Sequence, residues 1–284
     1  MHGLMIKAEP DETPGAGPPS PERPRSNQET RRLLGRAIAG YQLIAAADRI
    51  AVAVSGGKDS LALLWLLRER LERVPIHYDL TAVHVDLGFD PEPAARLEAF
   101  FQAEGFSYRI IPTRYGLRAH SVENRENPCF LCARLRRKAL FEAAAELGCP
   151  KIAFGHNQDD FIETFLINVC YGGQVSGMLP KQPFFSGKIT VIRPLALFPA
   201  DRVQRLARRL DLPVVPNPCP TSRVSKRSEI RALLERLYAT NDKVRGNIFH
   251  AMSNLNPAYL PPLLADRRGH RRRSAGPAFD PNQG

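Results

Sequence analysis

Short apolar runs alternate with stretches of helical periodicity through most of this 284-residue chain, and that alternation restricts the fold more than any other feature. "RIAVAVS" (49–55) reads as a buried strand, followed by a helix from Lys58 to about Glu72. "LTAVHVD" (80–86) is a second strand with a helix from about Pro93 to Glu104 behind it, and "FSYRII" (106–111) is a third. A helix reaching about Leu147 leads to a fourth strand, "KIAFGH" (151–156), then a helix over 158–170; "KITVIRP" (188–194) is a fifth strand. Apolar strands separated by helices predict an α/β fold, a doubly wound, mostly parallel five-stranded sheet covered on both faces. Residues 199–264 then read as a small C-terminal helical region, with helices at about 199–210, 225–239 and 241–254.

The flanks differ from this body. The first 27 residues hold six prolines and few large apolar side chains, so residues 1–29 are expected to be disordered. The main α/β domain is expected over 30–198, the helical region over 199–264, and a flexible basic tail over 265–284. No run approaches the roughly 18 apolar residues of a membrane span. The head of the chain has no apolar signal-peptide core, so a soluble cytoplasmic protein with no membrane partner is expected.

Charge points to the kind of partner. The chain carries 40 Lys+Arg against 29 Asp+Glu, a net +11 with pI near 9.8. The bland reading is a solubilising surface. The excess is mostly arginine, however, and it is clustered: Arg134, Arg136, Arg137 and Lys138; Arg202, Arg205, Arg208 and Arg209; Arg267, Arg268 and Arg271 to Arg273. Such clusters favour a polyanion, because contacts to phosphates release counterions.

Three chemically loaded segments fall at strand ends, where doubly wound sheets bind ligands. Between the first strand and its helix stands Ser55-Gly56-Gly57-Lys58-Asp59-Ser60. Its glycines allow a sharp turn, the helix N-terminus adds positive potential, Lys58 adds charge and Asp59 is a candidate for Mg²⁺. The segment is not a Walker loop, since the Gly-x-x-x-x-Gly-Lys pattern is absent. "SGGKDS" resembles the PP-loop of ATP pyrophosphatases, which cleave ATP between its α and β phosphates. That resemblance implies ATP over residues 55–60 and adenosine beside the end of the second strand, at Val85 and Asp86. The third segment, "GHNQDD" (155–160), resembles the matching family segment. Gly155 and His156 would approach the nucleotide, and Asp159 and Asp160 either cap a helix or serve Mg²⁺ or a proton.

Five cysteines, at 129, 132, 149, 170 and 219, are too few and too odd for a disulfide framework. Cys129 and Cys132 share a helical face beside Arg134, Arg136 and Arg137, which is expected to lower their thiol pKa values. A redox pair, a zinc site and a buried apolar role are the competing readings; burial suits Cys149 and Cys170 better. Cys219 lies in a Pro-rich loop, and three thiolates can hold a [4Fe–4S] cluster with one iron open.

"PCFLCARLRR", "GHNQDDFIETFLINVCYGG", "IRPL" and "PNPCPTSRVSKRSEIRALL" are similar to the tRNA 2-thiocytidine synthetases and their 2-thiouridine relatives, over roughly residues 33–262. The resemblance implies a [4Fe–4S] cluster on Cys129, Cys132 and Cys219. It also implies ATP-dependent adenylation of a pyrimidine C2 oxygen and its replacement by sulfur. The paired-cysteine zinc modules of the 2-thiouridine branch are missing, which favours a cytidine in the tRNA anticodon loop. Pro216 stands where that branch often has a further cysteine. Asp160 is the expected proton-transfer or Mg²⁺ residue, and Arg136 the one to steady charge near the cluster. The implied partners are tRNA, held by the arginines at 134–138 and 202–209, and a sulfur donor such as a cysteine desulfurase or free sulfide. A helix face in the end region is a candidate for pairing two chains as a homodimer. A lysidine synthetase, a zinc-bound PP-loop sulfurtransferase and a non-catalytic nucleotide-binding sulfur carrier are the rival readings.

Overall fold

In the computed structural model, the structure describes residues 24–124, 127–216, 219–220 and 226–259. The expected disorder of residues 1–23 and the basic tail with its arginine cluster lie outside the described residues. The elements are α1 (Gln28–Gly40), β1 (Arg49–Ala53), α2 (Lys58–Leu71), β2 (Asp79–Asp86), α3 (Glu92–Ala103), β3 (Ser107–Pro112), α4 (Tyr115–Ala119) and α5 (Pro128–Glu146). They continue as β4 (Lys151–Ala153), α6 (Gln158–Gly172), β5 (Lys181–Phe184), β6 (Ile189–Ile192), α7 (Ala200–Arg209), α8 (Lys226–Thr240) and α9 (Val244–Ala251). Order begins ahead of Thr30: Asn27 caps α1 by accepting from the Thr30 N–H, and the Ser26 amide bonds the buried Glu69 carboxylate. Among the described residues, no helix is long and apolar enough to cross a membrane.

The sheet has six strands, ordered β3-β2-β1-β4-β6-β5, rather than the expected five. The extra strand, β5, pairs antiparallel with β6 at the sheet edge. Its sequence, Lys-Gln-Pro-Phe, is short, polar and interrupted by Pro183, a residue that an edge strand tolerates because one side of its backbone makes no ladder bonds. The other neighbouring strands are parallel. From β1 the chain goes one way to β2 and β3, then returns past β1 to β4 and β6. Strand order therefore reverses between β1 and β4, which opens a crevice at their carboxyl ends.

Alternation along β1 divides two packing layers. Ile50, Val52 and Val54 face α2, whose Leu61, Leu64 and Leu67 are fully buried, together with Phe101 and Phe198. Ala51 and Ala53 face the other way, against Ala139, Leu140, Ala143 and Ala144 of α5. Small residues on both sides let α5 lie close to the sheet, which brings the start of that helix toward the strand ends.

The residues after β6 do not form one separate unit. Val203, Leu206 and Ala207 of α7 join the main core beside α2. By contrast, α8 and α9 pack on α6 through Ile162, Ile167, Ile230 and Leu234. Ion pairs reinforce that docking. Glu163, on α6 with a side chain only 3% exposed, receives Arg231 Nε at 2.7 Å and lies 3.7 Å from Arg227 Nε. Arg245 of α9 meets Asp159 at 3.1 Å and Asp201 at 3.0 Å.

A buried carboxylate that holds two guanidinium groups is costly to neutralise, because both arginines lose their anionic partner. Glu163→Gln is expected to lower the unfolding free energy by roughly 1–3 kcal/mol, with loosening centred on α8. Urea unfolding with hydrogen exchange at the α8 amides checks this; an unchanged midpoint would reduce the pair to a surface contact.

Candidate nucleotide and thiol site

The loop at residues 55–60 holds itself through its own hydroxyls. Ser60 Oγ accepts from the Ser55 N–H at 3.1 Å and donates to Gly57 O at 2.9 Å, while Ser55 Oγ accepts from the Gly57 N–H at 3.3 Å. Gly56 has φ +83°, and a Cβ there would sit 2.2 Å from Val215 Cγ2. Val215 is pinned in turn by its N–H donating to Gly56 O at 3.0 Å. The segment leading toward Cys219 thus rests directly on the loop.

Lys58 Nζ pairs with Asp59 Oδ2 at 2.7 Å, and Asp59 Oδ1 accepts from Asn157 Nδ2 at 3.0 Å. Asn157 also caps α6, its Oδ1 accepting from the Asp159 and Asp160 amides in a capping box. Gly155 completes this contact, since a Cβ there would lie 2.8 Å from Asp59 C and Ser60 N. Close backbone approach, rather than a positive φ, is why glycine stands at 155.

These residues enclose a cavity of about 380 Å³ in the crevice. Ser55, Gly57, Asp59, Ser60, Gly155 and His156 line it from the loop side. Val85, Asp86, Asp160 and Arg136 line it from the other elements, so most of the expected site residues do meet here. Gly56 faces Val215 and Lys58 faces Asp59, so neither contributes to the wall. The two adjacent acids have separate tasks. Asp159 accepts from the Ala200 N–H at 2.7 Å and pairs with Arg245, which makes it a structural clamp. Asp160 faces the cavity, accepts from the Asn157 N–H at 2.9 Å and pairs with Arg227 at 3.1 Å. Burial pushes the Asp160 carboxyl up to about 6, against the pull of Arg227 and the Asn157 amide.

A second cavity of about 610 Å³ adjoins the first; Arg136, Leu140, Phe154 and His156 line both. Cys129 and Phe130 border it at the start of α5, where Asn127 Oδ1 accepts from the Cys129 N–H at 2.9 Å. Cys132 is half-buried one helical turn on, and its thiol feels both Cys129 and Cys219. Cys219 Sγ lies 3.5 Å from His120 Nε2. The expected lowering of the thiol pKa values does not hold for Cys132: burial pushes it up, and Arg136 offsets only part of that. Cys149 is buried as expected, but Cys170 is exposed near the end of α6 and has no core role.

Among the described residues, no three His, Cys, Asp or Glu side chains converge closely enough for a single metal ion. Cys132 nevertheless lies near both Cys129 and Cys219, and thiols with a neighbouring imidazole are soft donors of the kind that ligate iron–sulfur clusters. A cubane cluster also keeps its ligand sulfurs further apart than one ion would. The α7 arginines are partly committed elsewhere, Arg202 to Glu29 and Arg205 to Asp201, each at 2.6 Å.

Arg193, Arg227 and His120 were not singled out from the sequence. Arg193 is the most hidden of them, at 1% exposure, with Nε donating to His156 Nδ1 at 3.2 Å. Its position just after β6, at the carboxyl edge of the sheet, was the available signal. Arg227 lies within the family-like segment at 216–234, which was its signal, whereas His120 reaches the site from a distant segment with none. Gly155→Ala should displace the loop and weaken ATP binding at least about tenfold while leaving the fold intact, as titration calorimetry would show.

Comparison with known proteins fits this geometry. A family model described as a PP-loop domain matches residues 26–237. The tRNA-cytidine(32) 2-sulfurtransferase of Anaeromyxobacter sp. (strain K) is 37% identical over 259 residues, covering 90% of this chain and 88% of that one. The enzyme of the same name from Alkalilimnicola ehrlichii is 38% identical over 230 residues, covering 80% and 73%. Among solved structures, the U34-tRNA thiolase NcsA from Methanococcus maripaludis with its [4Fe-4S] cluster superposes with TM-score 0.69 at 29% identity, covering 80% of this chain and 77% of that chain. A phosphate-type loop, a group of thiols and these relatives lead to one assignment: the chain belongs to the PP-loop family and, within it, to the tRNA-cytidine 2-sulfurtransferases, enzymes that thiolate tRNA.

Proposed function

We propose that this enzyme uses ATP to adenylate the C2 oxygen of a cytidine in the tRNA anticodon loop and then replaces that oxygen with sulfur. The observation that carries this reading is the shared wall between the two cavities. One cavity is built on a phosphate-type loop, the other is bordered by Cys129, and Arg136 and His156 belong to both. A base reaching that wall meets an activated phosphate on one side and a thiol-ligated group on the other. Relatives named for cytidine(32) support a cytidine target.

The pyrimidine O2 attacks the α-phosphorus and pyrophosphate leaves. Lys58, released from Asp59 when the triphosphate arrives, and the positive end of α2 stabilise the departing charge. Asp59 is the carboxylate for a Mg²⁺ ion brought by the triphosphate. Hydrosulfide, sulfur at the sulfide level, then adds at C2 and AMP departs with the original oxygen. Asp160 accepts the proton lost in that addition, and Arg136 steadies negative charge along the shared wall. Cys129, Cys132 and Cys219 would hold a [4Fe–4S] cluster, which supplies an iron free of protein ligands for presenting sulfur from a desulfurase or free sulfide. Displacing a loop base from its stack costs less than displacing a duplex base, which suits an anticodon-loop substrate.

Protein purified without oxygen is expected to carry about four iron and four acid-labile sulfide per chain, with a clear loss in Cys219→Ser. Zinc in place of iron would move the enzyme to the zinc-type sulfurtransferases. Asp160 must be ionised to accept a proton, so kcat/KM for thiolation should rise as pH climbs through about 6. Asp160→Asn should lose most activity and that limb together; a variant retaining the limb would assign it to another group.

A further inference from the structure

The larger cavity has an unusual lining. Its charged walls are all cationic: Arg136 and Arg137 from α5, Arg193 at the end of β6, and Lys226 and Arg227 from α8. Among the described residues, no carboxylate lines it. Its apolar surface includes four phenylalanines, Phe130, Phe141, Phe154 and Phe184. A volume of about 610 Å³ suits a single nucleotide, and aromatic faces with guanidinium groups are the usual means of holding an unstacked base and its phosphate.

One side chain in this wall has a tautomer fixed by chemistry. Arg193 can only donate, and its Nε is 3.2 Å from His156 Nδ1. Nδ1 is therefore the acceptor and the ring proton sits on Nε2. Arg193 is held in turn by Leu179 O at 2.5 Å and Gln182 Oε1 at 3.3 Å, so it cannot easily turn away. The His156 ring stacks on Phe154, with centroids 5.6 Å apart and planes at 22°. Burial and the guanidinium groups of Arg193, Arg227, Arg136 and Arg137 keep the ring neutral, so the proton arrangement persists across the working pH range. The result is a stationary N–H donor on the wall common to both cavities.

We infer that the 610 Å³ cavity receives the flipped-out target base and that His156 Nε2–H donates to cytosine N3, which selects cytidine over uridine. This inference rests on the thiolation reading above. Cytosine N3 is an acceptor, whereas uracil carries N3–H and would confront the His156 donor with a second donor. A donor at N3 leaves O2 unencumbered for attack on ATP. After adenylation the same bond draws electrons from the ring and makes C2 more susceptible to sulfur. Arg193 acts through His156 and is a positioning residue.

The test measures kcat/KM for thiolation of a tRNA transcript carrying cytidine, uridine or 3-deazacytidine at the target position, using cluster-loaded enzyme. The parent enzyme should prefer cytidine and lose about tenfold on 3-deazacytidine, the worth of one hydrogen bond to a buried partner. His156→Phe keeps a ring to stack but has no donor. It should lose about tenfold on cytidine, gain no further loss on 3-deazacytidine, and leave the KM for ATP unchanged. His156→Gln, which keeps an N–H at the same reach, should recover most of the preference. Full-rate thiolation of 3-deazacytidine by the parent enzyme overturns the inference without relying on any variant. An unaltered cytidine-to-uridine ratio in His156→Phe, or an effect confined to ATP, also overturns it. If the parent thiolates no transcript at all, the thiolation reading itself fails and this inference fails with it.

Discussion

The Asn157 side chain joins the parts of the molecule that have to act together. Its carbonyl caps α6 and its amide holds Asp59 in the nucleotide loop, so the first turns of α2 and α6 form one rigid unit at the point where strand order reverses. The contact exists only because Gly155 has no side chain to separate the two backbones. A loop built from hydroxyl and glycine contacts would otherwise relax toward water. Fixed to the adjacent helix, it keeps its shape at the edge of the crevice before any nucleotide arrives, which limits reorganisation on binding.

Acidic residues on α6 determine which arginines remain available in a chain of net charge +11. Asp159 and Glu163 hold Arg245 and Arg231, which fastens α9 and α8 to the main body. Asp160 holds Arg227 at the cavity wall but stays hard to ionise, because burial opposes its charge more strongly than one guanidinium supports it. The same helix therefore anchors the end region and presents a carboxyl to the cavity beside the loop at residues 55–60. Adjacent residues divide these tasks because successive helical positions point in directions about 100° apart.

Much of this was legible in the chain itself. Alternating buried runs gave the parallel strands, and the residues at their carboxyl ends gave the nucleotide crevice, because that relation follows from doubly wound topology. The edge strand was not legible: Lys-Gln-Pro-Phe has neither the length nor the alternation of a strand and is ordered by its pairing with β6. The Cys132 thiol was misjudged for a related reason. Neighbouring arginines are visible in sequence, whereas burial, the larger influence here, is a property of the folded helix face. Cys170 shows the converse, an apolar-looking context that packing leaves exposed. The Arg193–His156 pair joins residues 37 positions apart, and nothing in the spacing announces it.

On the thiolation mechanism proposed above, the shared wall also constrains how activation at O2 and substitution at C2 can occur on one base. If ATP and the sulfur-bearing group stood on the same side of the base, the departing AMP would block the incoming sulfur. Two cavities sharing Arg136, Leu140, Phe154 and His156 put the loop at residues 55–60 in one and Cys129 at the border of the other. On the proposed mechanism the base would stay in place between activation and substitution, and only the proton and the phosphates would change partners. That economy depends on the two halves being held in register. Val215 resting on Gly56 and Asn157 bonded to Asp59 accomplish this from opposite ends of the loop.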